Sequence, residues 1–334
     1  MPIPIDRDKM IIITGAFGFI GSALVKYFND QGIHQLVLVD DSHSTDKWKN
    51  LKGKNFYAIV SRTDLFDYLE DRQNDIQAII HMGACSNTKE KDVDYLMENN
   101  YRFTIGLAEY ALHHQIRFIY ASSAATYGSG SSGYRDDHAL LPTLQPLNAY
   151  AFSKHAFDLW AYNQKVIDQI TGLKFFNVFG PNEGHKMEMA SMVYHFYHQI
   201  ARDKKVRLFK STDLKNFAHG NQVRDFIYVK DVVALIGQLL VHPMMGIYNC
   251  GSGQAHTWNQ LAQAVFQACG IKESIEYIDM PLELVGSYQN YTLADLTKLQ
   301  EQFQMHHLDP FQPTPLKTAV VDYVQNYLMK NTLW

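Results

Sequence analysis

Met10-Ile11-Ile12-Ile13-Thr14-Gly15-Ala16-Phe17-Gly18-Phe19-Ile20-Gly21 sets the architecture of the chain. Five residues of buried-strand character run straight into three glycines spaced three apart. Residues 22–31 then read as a helix, with Leu24, Val25 and Phe28 on one face. A strand that breaks into a glycine turn and opens a helix is a phosphate cradle. Gly15, Gly18 and Gly21 permit the tight turn and close backbone approach, and the helix N-terminus supplies N–H donors and a positive dipole end. The next strand, Leu36-Val37-Leu38-Val39-Asp40, ends on the acidic pair Asp40-Asp41, where a carboxylate bonds an adenosine ribose. An acid there favours NAD because it repels a 2′-phosphate. Lys47, downstream in the same loop, offsets that repulsion and admits NADP.

Outward from this stretch the pattern continues. Ala78-Ile79-Ile80-His81 and Arg117-Phe118-Ile119-Tyr120-Ala121 read as further strands, separated by a helical stretch over residues 93–114. Continuous apolar strands alternating with helices imply an α/β fold: a Rossmann-like, doubly wound parallel sheet covered on both faces. Gly128-Ser129-Gly130-Ser131-Ser132-Gly133 reads as a surface loop, and the charged residues 134–138 after it as solvated. A long helix is expected over residues 149–169, then a strand at Leu173-Lys174-Phe175-Phe176. Beyond Gly180-Pro181 the pattern turns irregular and aromatic-rich. The division is a dinucleotide-binding domain over residues 1–180 and a smaller mixed α/β lobe, mainly substrate-binding, over residues 181–334, with return segments to the first.

The 334 residues are 46% hydrophobic and 19% charged, with a formal net charge of −4 and no block of like charges, which speaks against a nucleic-acid or membrane-surface partner. Cys85, Cys250 and Cys269 have neither zinc nor disulfide spacing. No apolar run reaches the ~18 residues of a membrane helix. The N-terminal residues lack a signal-peptide core, so the cytoplasm is the expected location.

Tyr150-Ala151-Phe152-Ser153-Lys154 places a tyrosine and a lysine four apart, on one helix face. A tyrosine with a pKa of ~10 is a poor base, but a neighbouring ammonium favours the phenolate. Ser123 sits at the end of the Arg117 strand, where ligands gather in such sheets, and its hydroxyl can hold a reacting oxygen. In that order, the glycine turn, Ser122-Ser123-Ala124 and Tyr150-x-x-x-Lys154 resemble the extended short-chain dehydrogenase/reductase family.

Within that family, four stretches resemble the ADP-glycero-manno-heptose 6-epimerases. They are residues 81–86, 98–101 and 120–128, and the run Phe176-Asn177-Val178-Phe179-Gly180-Pro181-Asn182-Glu183-Gly184-His185-Lys186. The Gly-His-Lys run discriminates best; residues 189–191, 224–229, 286–289 and 294–296 extend the likeness. The resemblance implies proton transfer by Tyr150 and Lys186, supported by Ser123 and Lys154. Lys154 also binds the nicotinamide ribose. It implies cofactor contacts at Phe19, Ile20, Asp40, Asp41, Lys47, Arg62, Met82, Gly83, Ala84, Cys85, Ser86, Asn99, Val178 and Lys186, and NADP as the cofactor. It implies substrate contacts at Ser123, Asn177, Glu188, His195, Phe209, Arg224 and Tyr288, an ADP-heptose as substrate, and a homo-oligomer, a homopentamer in the family. Glu188 departs from the family's small polar residue, and residues 210–222 are longer than the family norm and are expected on the adenine side.

Two rival readings stand beside this one. The first is another reaction of the same site, by a different sugar-nucleotide epimerase or a dehydratase; a dehydratase places an acid beside the catalytic serine or threonine, whereas Ser123 precedes Ala124 and Ala125. The second is a nucleotide-binding regulator, which has no use for Tyr150, Lys154 and Ser123. His195 and His198, three apart, lack a third ligand and read as packing rather than metal binding.

Overall fold

The computed structural model describes residues 2–41, 46–282 and 288–334. In chain order its strands are β1 (Met10–Thr14), β2 (Leu36–Val39), β3 (Ala58–Val60), β4 (Ile76–His81), β5 (Arg117–Ser123), β6 (Thr171–Phe175), β7 (Asn177–Phe179), β8 (Val206–Phe209), β9 (Val223–Tyr228), β10 (Gly246–Cys250), β11 (Ala255–Thr257) and β12 (Ile275–Ile278). The helices that frame the site are α1 (Phe19–Asp30), α2 (Leu65–Leu69), α3 (Val93–Leu96), α4 (Phe103–His113), α5 (Ala149–Asn163), α6 (Met192–Asp203), α7 (Val229–Val241) and α8 (Trp258–Cys269).

Seven strands form one sheet in the order β10-β6-β5-β4-β1-β2-β3, every neighbouring pair parallel. The chain winds from β1 through β2 to β3, then returns to β4 on the other side of β1. That reversal opens a crevice at the carboxyl ends of β1 and β4. Within β1, Ile11 and Ile13 pack with Leu24, Phe28 and Leu235, while Met10 and Ile12 pack with Leu107 and Phe157. Alternate residues of one apolar run thus feed two cores, which is why the run reads as continuous. β10 comes from the second half of the chain and closes the sheet beside β6.

Two smaller sheets accompany it, a three-stranded one, β11-β9-β7, and a two-stranded one, β12-β8. No helix among the described residues is long and apolar enough to cross a membrane. Three local expectations differ in detail. The helix expected over 149–169 stops at Asn163, because Lys165 adopts φ +57° and only a short 3-10 turn follows. The stretch over 93–114 carries a π turn, Met97–Arg102, between α3 and α4. The residues expected to be a solvated loop instead bury Tyr134 and Asp136, whose carboxylate accepts the Asn249 N–H at 2.7 Å.

Candidate active site

The crevice is a cavity of about 720 Å³. Its floor is backbone. Gly15 has φ +64°, and a Cβ there would stand 2.7 Å from the Gly83 Cα; one on Gly21 would stand 2.1 Å from the Gly15 carbonyl oxygen. The turn after β1, the first turn of α1 and the end of β4 therefore meet with no room for side chains. Gly18 gives α1 no side-chain cap, which leaves first-turn N–H groups for an anion. At the end of β2, Asp40 accepts the Phe17 N–H at 2.9 Å and pairs with Lys47 at 2.5 Å. Asp41 pairs with Arg62 at 2.9 Å. Met82, Gly83, Ala84, Cys85 and Ser86 continue the lining beyond β4, and Asn99 and Val178 belong to it too. The side-chain-free cradle, the open helix end and the carboxylate pair fit a dinucleotide.

Ser123, Tyr150 and Lys154 line the same cavity. The Asn148 side chain caps α5 by accepting the Ala151 N–H, which fixes where the helix starts and so where Tyr150 and Lys154 point. Lys154 is buried, its Nζ donating to the Ala121 carbonyl at 2.9 Å. Burial pushes its ammonium down to about 8, against the pull of Asp158. Burial raises the Tyr150 phenol, and the Ser123 hydroxyl beside it works the other way. Beneath the floor, His81 is fully enclosed, bonded to Thr14 Oγ1 at 2.6 Å and Thr104 Oγ1 at 3.0 Å.

Lys186 reaches this cavity from the other side, in the 3-10 turn Gly184–Met189. Its Nζ stands 5.6 Å from the centre of the Phe19 ring. Burial lowers its pKa, partly countered by Glu183. Glu183 is itself buried and accepts the Gly180 N–H, the Ser191 N–H and the Ser191 hydroxyl, which fixes both ends of the turn. Asn50 joins the two sides: its amide donates to the carbonyls of Phe17 and Asn182 at 3.0 and 3.1 Å, with His185 Nδ1 at 3.1 Å.

The substrate residues implied by resemblance divide. Asn177 lines the cavity and donates to the Asp225 carbonyl at 2.8 Å. Arg224 lies behind Trp258, its guanidinium between the Trp258 ring at 5.4 Å and the Tyr288 ring at 5.0 Å; Tyr288 accepts the Trp258 indole N–H. Trp258 is part of the lining; Arg224 and Tyr288 are not. Glu188, His195 and Phe209 also lie outside it. Glu188 is exposed beside Lys89, with His195 Nε2 against its carbonyl, and Phe209 ends β8 opposite Ile278. Residues 210–222 contribute nothing to the lining either. His198 packs on Tyr194, ring centres 4.3 Å apart, and no group of three metal-ligating side chains occurs among the described residues. Thr88, Tyr95, Phe103, Trp258 and Thr292 line the cavity without having been singled out in the sequence. The aromatic ones carry no signal that separates them from core.

The family model for the NAD dependent epimerase/dehydratase family matches residues 11–251. The ADP-L-glycero-D-manno-heptose-6-epimerase of Nitratidesulfovibrio vulgaris strain DP4 is 47% identical over 322 residues, covering 96% of this chain and 98% of that one. The enzyme of the same name from Fusobacterium nucleatum is 44% identical over 336 residues, again covering 96% and 98%. Among solved structures, the Helicobacter pylori ADP-L-glycero-D-manno-heptose-6-epimerase superposes with a TM-score of 0.76 at 24% identity, covering 97% of this chain and 98% of that one, a likeness of fold. The glycine cradle and the Tyr150-Lys154-Ser123 set thus sit in a chain that belongs to the NAD dependent epimerase/dehydratase family and, within it, to the ADP-L-glycero-D-manno-heptose-6-epimerases.

Proposed function

We propose that the enzyme inverts C6″ of an ADP-linked manno-heptose, interconverting ADP-D-glycero-β-D-manno-heptose and its L-glycero epimer, a lipopolysaccharide inner-core precursor, with NADP as resident cofactor. The observation that carries this reading is that Tyr150, on α5, and Lys186, in the turn Gly184–Met189, line one cavity above a dinucleotide cradle. When bound, the nicotinamide supplies a hydride acceptor that returns what it takes. Proton movement and positioning fall to the chain. The Ser123 hydroxyl holds the substrate oxygen, Tyr150 moves its proton, and the Lys154 ammonium favours the phenolate. C6″ lies on a flexible arm, so the two epimers carry their oxygen in different places. One base reaches only ~2.6–3.2 Å, and we assign the second position to Lys186. Its burial, which favours the neutral amine, supports that role. Arg224 is assigned to the diphosphate by resemblance, because its planar fork can bind two oxygens; it stands packed between Trp258 and Tyr288 outside the cavity lining, so the geometry adds no support to that contact. Lys47 and Arg62 support NADP, since each compensates an acid at the ribose position.

The test is epimerisation of ADP-heptose without added dinucleotide, expected to continue well past one equivalent. Tyr150→Phe and Lys186→Met should each reduce it by at least about 10²-fold while nucleotide still copurifies. Near-normal turnover in Lys186→Met, with only KM raised, overturns the two-base assignment. A homo-oligomer, pentameric as in the resemblance, belongs to the same proposal and is tested by light scattering. Its proposed location is the cytoplasm, where the three thiols stay reduced.

A further inference from the structure

Asp158 lies four residues beyond Lys154 and eight beyond Tyr150, on the same face of α5. Its side chain and that of Lys174 on β6 are both fully buried, 2.6 Å apart. Taking two charges out of water is costly, so net stability is a weak reason for such a pair, and what it holds in place matters more. The contacts point toward the end of β5. Asp158 accepts hydrogen bonds from the Tyr120 hydroxyl at 2.9 Å and the Ser122 hydroxyl at 2.7 Å. Lys174 donates onward to the Thr126 hydroxyl at 2.6 Å, and Thr126 donates to the Ser123 carbonyl at 2.7 Å. Lys154 holds the carbonyl of Ala121. Residues 121–126, which present Ser123, are therefore gripped at successive positions by one buried charge network.

We propose that Asp158, paired with Lys174, is a positioning residue for the epimerisation, a proposal that rests on that reading of the site: it pins the end of β5 so that the Ser123 hydroxyl stands beside Tyr150, and it sets a carboxylate one helical turn beyond Lys154 on the same face of α5. The charged and titratable groups facing Asp158 are Lys154 and His155 from its own helix, Tyr120 from β5, Tyr127 from the turn after it, Lys174 from β6 and His138 from the segment before α5. Of these, Lys154 feels the strongest consequence for the reaction. Burial alone drives it toward neutrality, and Asp158 is the largest influence opposing that.

Asp158→Asn removes this influence, so Lys154 loses its proton at a lower pH and the alkaline limb of turnover moves toward acid. The single variant also strands the Lys174 ammonium and destabilises the fold. The double variant Asp158→Asn/Lys174→Met removes both charges and keeps the volume. Two readouts on the holoenzyme separate the roles: thermal melting, and titration of the 13Cε-lysine resonance that disappears in Lys154→Met. In the double variant, melting should return close to wild type while the Lys154 titration stays lower by about half a pH unit or more. The alkaline limb of turnover should move with it. A Lys154 titration within about 0.2 units of wild type, or failure of the double variant to regain its melting temperature, shows a framework role only and overturns the proposal. The lysine titration needs no substrate. Absence of ADP-heptose turnover in the wild type would therefore count against the epimerase reading and leave this one to be decided by the resonance.

Discussion

Removing Lys47 and Arg62 tests the NADP assignment where the charges can be counted. The end of β2 brings together two carboxylates, Asp40 and Asp41, and two cations bonded to them at 2.5 and 2.9 Å. The local sum is zero. In Lys47→Ala/Arg62→Ala it becomes minus two, facing whatever occupies the ribose position. A charge-assisted hydrogen bond to a phosphate contributes ~1.5–3 kcal/mol. These side chains are 21% and 32% exposed, so solvent screening argues for the lower end. Two such contacts give ~3 kcal/mol, about a hundredfold in Kd. NAD has no 2′-phosphate, and its affinity should change by no more than about threefold. The assay is calorimetric titration of nucleotide-stripped protein with each dinucleotide at two ionic strengths. Wild type should prefer NADP, with a preference that shrinks as salt rises, and the double variant should lose it. Wild type binding NAD as tightly as NADP, or a double variant that weakens both equally, would refute the reasoning.

Gly21→Ala puts a Cβ 2.1 Å from a backbone oxygen that has no rotamer to yield with, so the start of α1 must shift by an overpacking cost of ~1–3 kcal/mol. The purified variant should carry less than about a tenth of the wild-type nucleotide, measured by absorbance after denaturation. A second expectation concerns acid. Burial pushes His81 from its ordinary 6.5 down to about 3, so below pH 6.5 the unfolded chain binds a proton that the folded chain refuses. Its contribution is intact above 6.5 and falls as pH drops from there toward 3. Between pH 7.5 and 5 the loss is ~2 kcal/mol. Urea unfolding of wild type and His81→Asn at both pH values reads this as a difference, and an equal pH dependence in the two proteins would exclude His81 as its source.

The parts of the site that sequence exposes are those whose geometry is local. A helix fixes the Tyr150 and Lys154 faces by spacing alone, and the glycines after β1 are required by a backbone contact that leaves no space for any Cβ. Lys186 is different in kind. It stands in a turn whose next residue, Met187, has φ +50°, and the turn is held by Glu183 and through Asn50, 132 residues away from its partner Asn182. No periodicity announces that arrangement, so only resemblance pointed to it. The misread loop after Gly133 has a similar cause. β10 is the sheet's outer strand, and its outward N–H groups on Ile247 and Asn249 need acceptors. His138 and Asp136 supply them across more than a hundred residues, so a charged stretch that reads as solvated is drawn inward.

Buried carboxylates extend that argument to the site as a whole. An acid in a single sequence is placed in solvent by default, because an acid is almost never enclosed without partners. The default fails where several donors converge. Asp158 accepts from Tyr120, Ser122 and Lys174; Glu183 accepts from Gly180 and twice from Ser191; Asp225 accepts from the N–H groups of Ser252, Gly253 and Ala294 and from the Ser252 hydroxyl. Each sits one layer behind residues that line the cavity: Asp158 behind Ser122 and Ser123, Glu183 behind Lys186, Asp225 behind Asn177 through its own carbonyl. A carboxylate can collect three or four donors from separate segments, which no apolar side chain can do, and so it fixes loops that have no helix or strand to hold them. The reacting groups are legible because chemistry restricts their type and a helix restricts their spacing. The acids that hold them are restricted only by the completed fold, so they become visible when the segments they join are already side by side.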